Sequence, residues 1–357
     1  MPSFDQVVLA GIATILPPIE VTSAELEDRL SPVYQRLKLP PGRLQLMSGI
    51  EARRLWNPGT RPSGPSIQAI TGLLDRVDLD PKRVGCLVHG SVCRDFLEPA
   101  TASKVHHGAG LPSDCWVYDV SNACLGILNG MIQVASAIQC GLIEAGVVVG
   151  TENSRPLMEQ TIMSLNEDHT LTRQSIKPAF ASLTIGSGCA AMLLARRDRF
   201  PTATRFNQVV AHANTEFHDL CVSDEDAGAS MSPLMETDSE ELMKRGIETG
   251  VAAFQKLNLT QEDEFDVTVC HQVGVRHRAA MLEAMELPLK RDYVAYDRLG
   301  NTGSAALPTA LTLAAAEGFV QPQQRVGLLG IGSGINSVMV DLNWGETAAG
   351  VIAMPAS

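Results

Sequence analysis

The sequence predicts an α/β protein built from two copies of one unit, and three observations predict it. Short β-rich runs alternate with longer helical patterns along the whole chain, the arrangement that gives parallel strands covered by helices. Hydrophobic residues make up 45% of the 357 residues but aromatics only 4%, so the interior is filled with Val, Ile, Leu, Ala and Met, as buried parallel sheets are. The third observation is a replay. Val88-His89-Gly90 returns as Cys270-His271-Gln272 182 residues later, Tyr118-Asp119 as Tyr296-Asp297 178 later, and Gly146-Val147-Val148 as Gly327-Leu328-Leu329 181 later. Three matches in one order at nearly constant spacing mark an internal duplication.

In chain order, the apolar run 7–16 reads as a first strand; Asp5 and no basic segment precedes it, which argues against a secretory signal. In the first unit, residues 84–89 and 117–120 read as strands, the Ala-, Ile- and Leu-rich 124–140 as a helix, and 145–149 as a strand. The second unit repeats this with strands at 267–270 and 293–296, a helix at 305–316 and a strand at 325–329. The polar stretch 166–177 is the expected divide between an N-terminal half, 1–175, and a C-terminal half, 176–357. Residues 224–243, rich in acid and Ser, read as an exposed excursion. From Gly345 the tail turns to small residues and loses its strand pattern, so weak order is expected there.

The net charge of −12 argues against a nucleic-acid surface, which needs clustered Lys and Arg. Two local basic patches, Arg53-Arg54 and Arg276 with Arg278, suit an anionic cofactor tail. The eight cysteines lie mostly inside apolar runs without the paired spacing of a disulfide framework, and read as reduced thiols. No stretch approaches the roughly 18 uninterrupted apolar residues of a membrane span, and a cytoplasmic location is expected. Cys86 and His89 have ligand-like spacing but lie along one strand pattern; no second pair completes a tetrahedral site, and no metal is expected.

Tyr118-Asp119-Val120-Ser121-Asn122-Ala123-Cys124, followed by Leu125-Gly126-Ile127, places one cysteine where a strand ends and a small-residue helix begins. A thiol at such an elbow feels the unpaired N–H groups and the positive end of the helix dipole, which favour the attacking thiolate. The same N–H groups can hold an oxyanion. The other seven cysteines read as small buried apolar residues. Cys189 in Gly186-Ser187-Gly188-Cys189 has a glycine context but nothing that suggests a base beside it.

At the corresponding strand end of the second half stand His271-Gln272, and at the turn mirroring the nucleophile's stands Leu299-Gly300-Asn301-Thr302-Gly303. Duplicated halves that face each other bring these turns together. His271 can then take the thiol proton and, with Asn301, donate hydrogen bonds to a developing enolate oxygen. On its own, Gly-Asn-x-Gly is equally turn chemistry. Gly330-Ile331-Gly332-Ser333-Gly334 follows the last strong strand, and Ser333 and Gly334 are candidates for the second part of the oxyanion hole at Cys124. The run also fits a tight turn, while no strand–GxGxxG–helix unit supports a dinucleotide.

At these residues the chain resembles the thiolase superfamily, in its ketoacyl synthase III-like branch: Asn122-Ala123-Cys124, His271-Gln272, Gly300-Asn301-Thr302 and Gly332-Ser333-Gly334 match in order and spacing, to about Leu342. The resemblance implies a thiolase fold, a five-layered αβαβα sandwich of two duplicated halves, usually homodimeric. It is closest to the OleA-type enzymes, which condense two long-chain acyl-CoA molecules without decarboxylation to a β-keto acid. Ser91 to Ala102 looks like the loop in which those enzymes carry their proposed base, here Glu98, which by resemblance reaches the neighbouring subunit's site. Removing an α-proton from an acyl-CoA needs a base, and a carboxylate flanked by Phe96, Leu97 and Pro99 is expected to be desolvated and more basic than in water. An acidic loop residue is otherwise usually solvated.

One departure stands out. Synthase III members that bind CoA typically carry a Trp in the segment before Gly-Ile-x-x-Arg; residues 43–50 here have none, which leaves acyl-CoA and acyl carrier protein both open as acyl carriers. Trp56, just after Arg53-Arg54, is the alternative stacking residue, and Arg53, Trp56 and Arg276 are the candidate substrate contacts. A buried structural Trp is the competing reading. No cofactor is expected beyond the thioester substrates. The rival functions are a decarboxylative ketoacyl synthase III with a malonyl donor, a hydrolase using Cys, His and Asn in papain-like order, and a non-catalytic thiolase-fold binding subunit.

Overall fold

The computed structural model describes residues 4–224, 234–260 and 263–354. In chain order its strands are β1 (Val7–Ile15), β2 (Ile19–Thr22), β3 (Ala52–Leu55), β4 (Cys86–Gly90), β5 (Trp116–Val120), β6 (Ala145–Glu152), β7 (Gly188–Arg196), β8 (Thr204–Ala213), β9 (Cys221–Asp224), β10 (Leu234–Thr237), β11 (Val267–Cys270), β12 (Arg325–Gly332), β13 (Asn336–Asn343) and β14 (Ala348–Val351). The helices are α1 (Ser23–Arg29), α2 (Ser31–Leu37), α3 (Arg43–Ser48), α4 (Ser63–Arg76), α5 (Thr101–Gly108), α6 (Gly126–Gln139), α7 (Arg155–Glu167), α8 (Ser239–Gln255), α9 (Val275–Ala284), α10 (Tyr296–Leu299) and α11 (Ala306–Ala316).

Ten strands form one sheet in the order β11-β12-β13-β8-β1-β7-β6-β4-β5, with β14 beside β1, and the duplication is written in that order. In the first unit β5, β4 and β6 run parallel, then β7 and β1 alternate antiparallel. In the second, β11 and β12 run parallel, then β13 and β8 alternate. The units join where β1 meets β8 over two pairs, Val8 with Arg205 and Leu9 with Thr204. Register repeats as well: Val88 faces Val148, and their counterparts Cys270 and Leu329 face each other.

Side-chain packing divides the molecule into five layers. Leu125, Ile127, Leu128 and Met131 at the start of α6 and Leu307 and Leu311 of α11 share one core with Val88 and Val148 of the first unit and Val269 and Leu328 of the second. Helix α11 is buried from Ala306 to Ala314, as expected of a helix apolar on all sides and sandwiched between sheets. On the first unit's outer face α4 and α5 cover Leu87, Val147 and Leu193. On the second unit's outer face α8 and α9 cover Leu329, Ile331 and Met339. This is the αβαβα arrangement of the thiolase fold. Among the described residues no helix is long and apolar enough to cross a membrane.

Three expectations change. The first unit's sheet does not end at 175. β7 lies beyond that point, yet pairs with β6 on one side and β1 on the other, because its buried apolar run needs a sheet on both flanks; the crossover follows Arg196. The expected strand at 293–296 shrinks to one bridge, Thr268 with Asp292. The Gln272 side chain takes its place, donating to Cys270 O (2.8 Å) and Tyr293 O (3.2 Å) and accepting from Ala295 N (2.9 Å) and Tyr296 N (3.1 Å). With those backbone groups satisfied, the chain turns into α10 instead. The tail is ordered through β14: β8 occupies the edge of β1 only at Val8 and Leu9, and β14 takes the next stretch, from Gly11–Ala348 to Thr14–Val351. Arg76 holds the Ala349 and Val351 carbonyls at 2.7 and 3.3 Å. Of the expected excursion, 225–233 lies outside the described residues; its flanks pair as the β9–β10 hairpin before Asp238 caps α8 through Glu241 N.

Candidate active site

Cys124 sits between the end of β5 and the start of α6. The turn is tight. Ala123 adopts φ 45°, a conformation that non-glycine residues hold at a cost of about 1–3 kcal/mol and that clusters at functional sites. A Cβ on Gly90 would lie 2.6 Å from the Gly126 carbonyl carbon, so the first turn of α6 is pressed onto the end of β4 through two glycines. The hairpin joining β12 and β13 comes against the elbow: a Cβ on Gly332 would be 3.5 Å from Cys124 N. Asn336 Nδ2 reaches Asn122 Oδ1 at 3.3 Å, and Gly334, at φ 116°, forms the hairpin turn with Ser333.

The thiol is not held as a thiolate. Burial pushes it up to about 12, with the Glu152 carboxylate and Cys221 adding to the effect and the residue's own N–H opposing it. This corrects the expectation drawn from the helix terminus: withdrawal from water and a nearby negative charge outweigh the dipole. The N–H of Cys124 faces its own sulfur, where the carbonyl oxygen of an acyl group carried on that sulfur would find a donor.

His271 follows β11 directly, its N–H donating to Leu329 O at 3.0 Å. It is 7% exposed. The strand end beneath it is fixed by the buried Asp292, which accepts from Cys270 N at 3.0 Å and Thr268 Oγ at 3.1 Å and pairs with Arg278 at 2.6 Å. The His271 ring stands edge-on to His277, centroids 6.0 Å apart at 88°. Burial, reinforced by His277, lowers His271 to about 3; burial lowers His277 to about 4. Both imidazoles are therefore neutral at physiological pH, able to accept a proton on one nitrogen while donating from the other.

Asn301 is fixed on both sides of its backbone, its N–H donating to Thr184 O (3.0 Å) and its carbonyl accepting from Gly186 N (2.8 Å). The preceding Gly300 has φ 69°, and a Cβ there would meet Thr184 O at 2.8 Å. Its side-chain Oδ1 accepts from Gly303 N at 3.0 Å, so the group left to meet a ligand is the Nδ2 donor.

Glu152, the last residue of β6, gave no sequence signal beyond an acid ending an apolar run. It is 6% exposed. Its Oε1 accepts from Ser304 Oγ (2.6 Å), Ser304 N (3.3 Å) and Val92 N (3.1 Å), and its Oε2 from Cys93 N (3.2 Å). The carboxylate thus connects the turn carrying Asn301 with the stem of the loop carrying Glu98, beside Cys124.

Other predicted residues fall elsewhere. Glu98 is exposed on the outside of the protomer, together with Phe96 at 42% and Leu97 at 63%; the desolvated carboxylate expected from its apolar neighbours does not form within one chain. Arg53 and Trp56 are fully buried. Arg53 donates to Ser23 Oγ at 3.1 Å and Leu183 O at 3.2 Å, and Trp56 Nε1 to Glu152 O at 2.9 Å, so both support the fold from inside and neither offers a surface to a substrate. Arg276, in the first turn of α9, is exposed. A cavity of about 450 Å³ between α1, α2 and α3, lined by Glu27, Tyr34 and Gln45 among others, includes none of Cys124, His271 and Asn301.

Residues 66–198 match the thiolase N-terminal domain, and residues 254–344 the C-terminal part of 3-oxoacyl-[acyl-carrier-protein] synthase III. An acyl-CoA:acyl-CoA alkyltransferase of Shewanella oneidensis is 34% identical over 96% of this chain and 99% of its own length. The Xanthomonas campestris pv. campestris protein of the same name is 35% identical, with the same coverage. A crystal structure of Xanthomonas campestris OleA, a cysteine-to-serine variant with bound lauric acid and lauroyl-CoA, superposes with a TM-score of 0.89 at 34% identity, covering 96% of this chain and all of that one. The chain belongs to the OleA family of thiolase-fold acyltransferases. Other solved OleA structures, at TM-scores of 0.88 and 0.89, carry substitutions of a histidine and of a glutamate.

Proposed function

We propose that this OleA-family chain joins two long-chain acyl-CoA molecules by a non-decarboxylative Claisen condensation. The observation that carries the reading is the strained elbow at Cys124, closed over by the β12–β13 hairpin, with the Glu152 carboxylate, whose charge acts on the thiol, bonded to Ser304 beside the Asn301 turn. Relatives named for transfer between two acyl-CoA molecules, and an OleA structure holding lauroyl-CoA, support the substrate class.

The chemistry runs in two halves. As the Cys124 sulfur attacks the first thioester carbonyl, its proton passes to neutral His271; the C–S bond to CoA breaks and the CoA thiolate leaves with that proton. The N–H groups of Cys124 and Gly334 hold the carbonyl oxygen. Glu98 then removes the α-proton of the second acyl-CoA, and His271 and Asn301 Nδ2 stabilise the enolate oxygen. The enolate carbon attacks the acyl-Cys carbonyl, a carbon–carbon bond forms as the C–S bond to Cys124 breaks, the departing thiolate takes back the proton held by Glu98, and water hydrolyses the β-ketoacyl thioester to the β-keto acid and CoA. Arg276 is a candidate contact for the CoA phosphates.

Glu98 is assigned to the site of a second copy in a homodimer. Its outward, apolar-flanked loop leads into α5, whose first N–H groups bond Asp119 of β5. β5 is the last strand of the sheet order, open on one edge, with Trp116 46% exposed. An open ladder of this kind favours pairing with a second chain. Eight unpaired cysteines suit a reducing, cytoplasmic setting.

Incubation with acyl-CoA alone tests the reading. β-Keto acid should form without any malonyl donor; product that appears only when malonyl thioester is supplied would refute it.

A further inference from the structure

Glu152 is a buried carboxylate whose hydrogen-bond partners among the described residues include no cation. Such a group costs several kcal/mol to withdraw from water unless donors converge on it. Four do, and they come from segments 60 and 152 residues away in the chain: Val92 N and Cys93 N on one side, Ser304 N and Oγ on the other. The Asn301 turn is folded down onto the carboxylate so closely that a Cβ on Gly303 would lie 3.1 Å from Glu152 Cγ. No regular ladder joins these two segments.

We propose that Glu152 is a positioning residue for the condensation step, fixing the stem of the Glu98 loop and the Asn301 turn in one relation. The inference rests on the roles assigned above to Cys124, Asn301 and Glu98. Both segments it holds serve the second half-reaction, whereas Cys124 is not among its hydrogen-bond partners. In the homodimer, one Glu152 would hold the Asn301 turn of its own site and the loop that serves the neighbour's. Its charge has a second effect, adding to the burial that pushes the Cys124 thiol up; the other titratable groups it acts on are Cys93 and His89, and Cys221 also faces the thiol.

The two effects have opposite signs, which separates positioning from mere support. Glu152→Gln keeps the shape and the Oε1 acceptor but removes the charge and the acceptor for Cys93 N. In the full-length protein, the alkylation profile of Cys124 by iodoacetamide, read by peptide mass spectrometry across pH, should shift to lower pH. Condensation should fall about 10- to 100-fold, and single-turnover acylation by one acyl-CoA by less than about 3-fold. Ser304→Ala, which spares the charge, should slow condensation about 10-fold with the wild-type alkylation profile, and it decides the matter if Glu152→Gln fails to fold. Equal losses in acylation and condensation, or no loss in either, would overturn the proposal. Wild-type protein that formed no acyl-Cys124 would instead defeat the functional reading, and the alkylation profile, which needs no acyl substrate, would still report on the Glu152 charge.

Discussion

At the fifth position of the sheet the first half has a strand, β5, whose end leads into the Cys124 elbow; at the same position the second half has a single bridge and the Gln272 side chain. Four of the five positions match between halves, in direction and in register. The difference at the fifth teaches how one duplicated unit was divided into two tasks. The half with the strand presents a nucleophile at a strained turn. The half without it gives up a ladder, and the freed segment turns through α10 into the Gly300-Asn301 turn, where the Asn301 Oδ1 accepts from Gly303 N and Nδ2 is the group left to meet a ligand.

Removing the proton-handling and donor groups of the second half should break that division most sharply. His271→Ala and Asn301→Ala should each lower the condensation rate by about 100- to 1,000-fold, the range for loss of an acid–base group or an oxyanion donor. Acyl-Cys124 should still form in Asn301→Ala, which intact-mass measurement of the protein after one acyl-CoA would reveal. An equal drop in acylation and condensation in Asn301→Ala would mean that the halves are not divided in this way.

Gln272→Ala tests the substitute for the missing strand. It leaves the Ala295 and Tyr296 N–H groups and the Tyr293 carbonyl without their partner, at a cost of about 2–4 kcal/mol in unfolding free energy, measured by urea denaturation. Stability within about 0.5 kcal/mol of wild type would show that the side chain does not replace a ladder.

The smallest effect concerns pH. His271 and His277 are lowered to about 3 and 4 in the fold, whereas in the unfolded chain they titrate near 6.5. The unfolded state therefore binds more protons below about 6.5: the stability these histidines carry is complete above that pH and lost as pH falls toward 4 and 3. Tm should drop by about 5 °C between pH 7 and pH 5, and less in His277→Phe. An equally steep drop in that variant would show that His277 is not buried neutral.

Much of this was legible because it is local. The strand-to-helix change at Cys124, the His271-Gln272 strand end and the Gly300-Asn301 turn each carry their own periodicity and turn chemistry, and the constant offset placed the two halves in correspondence. What escaped depends on partners distant in the chain. Residues 293–296 have strand-like composition, and only the folded molecule shows that Gln272 competes for their backbone. Glu152 is one acid whose donors lie as far as 60 and 152 residues away. Arg53 and Trp56 read as substrate contacts because a basic pair and a nearby Trp suit an anionic cofactor tail, but β3 carries Arg53 into the interior and Trp56, just after it, is buried as well. The thiol was misread for a related reason: a helix terminus is visible in sequence, whereas burial and a neighbouring carboxylate are not.

The central claim is that the Cys124 sulfur carries the first acyl group. Peptide mass spectrometry of the protein after brief exposure to a single acyl-CoA tests it most directly. One acyl adduct per chain is expected on the peptide containing Cys124, absent from Cys124→Ala, which should form no condensation product. An adduct on another residue, or condensation that persists in Cys124→Ala, would contradict it.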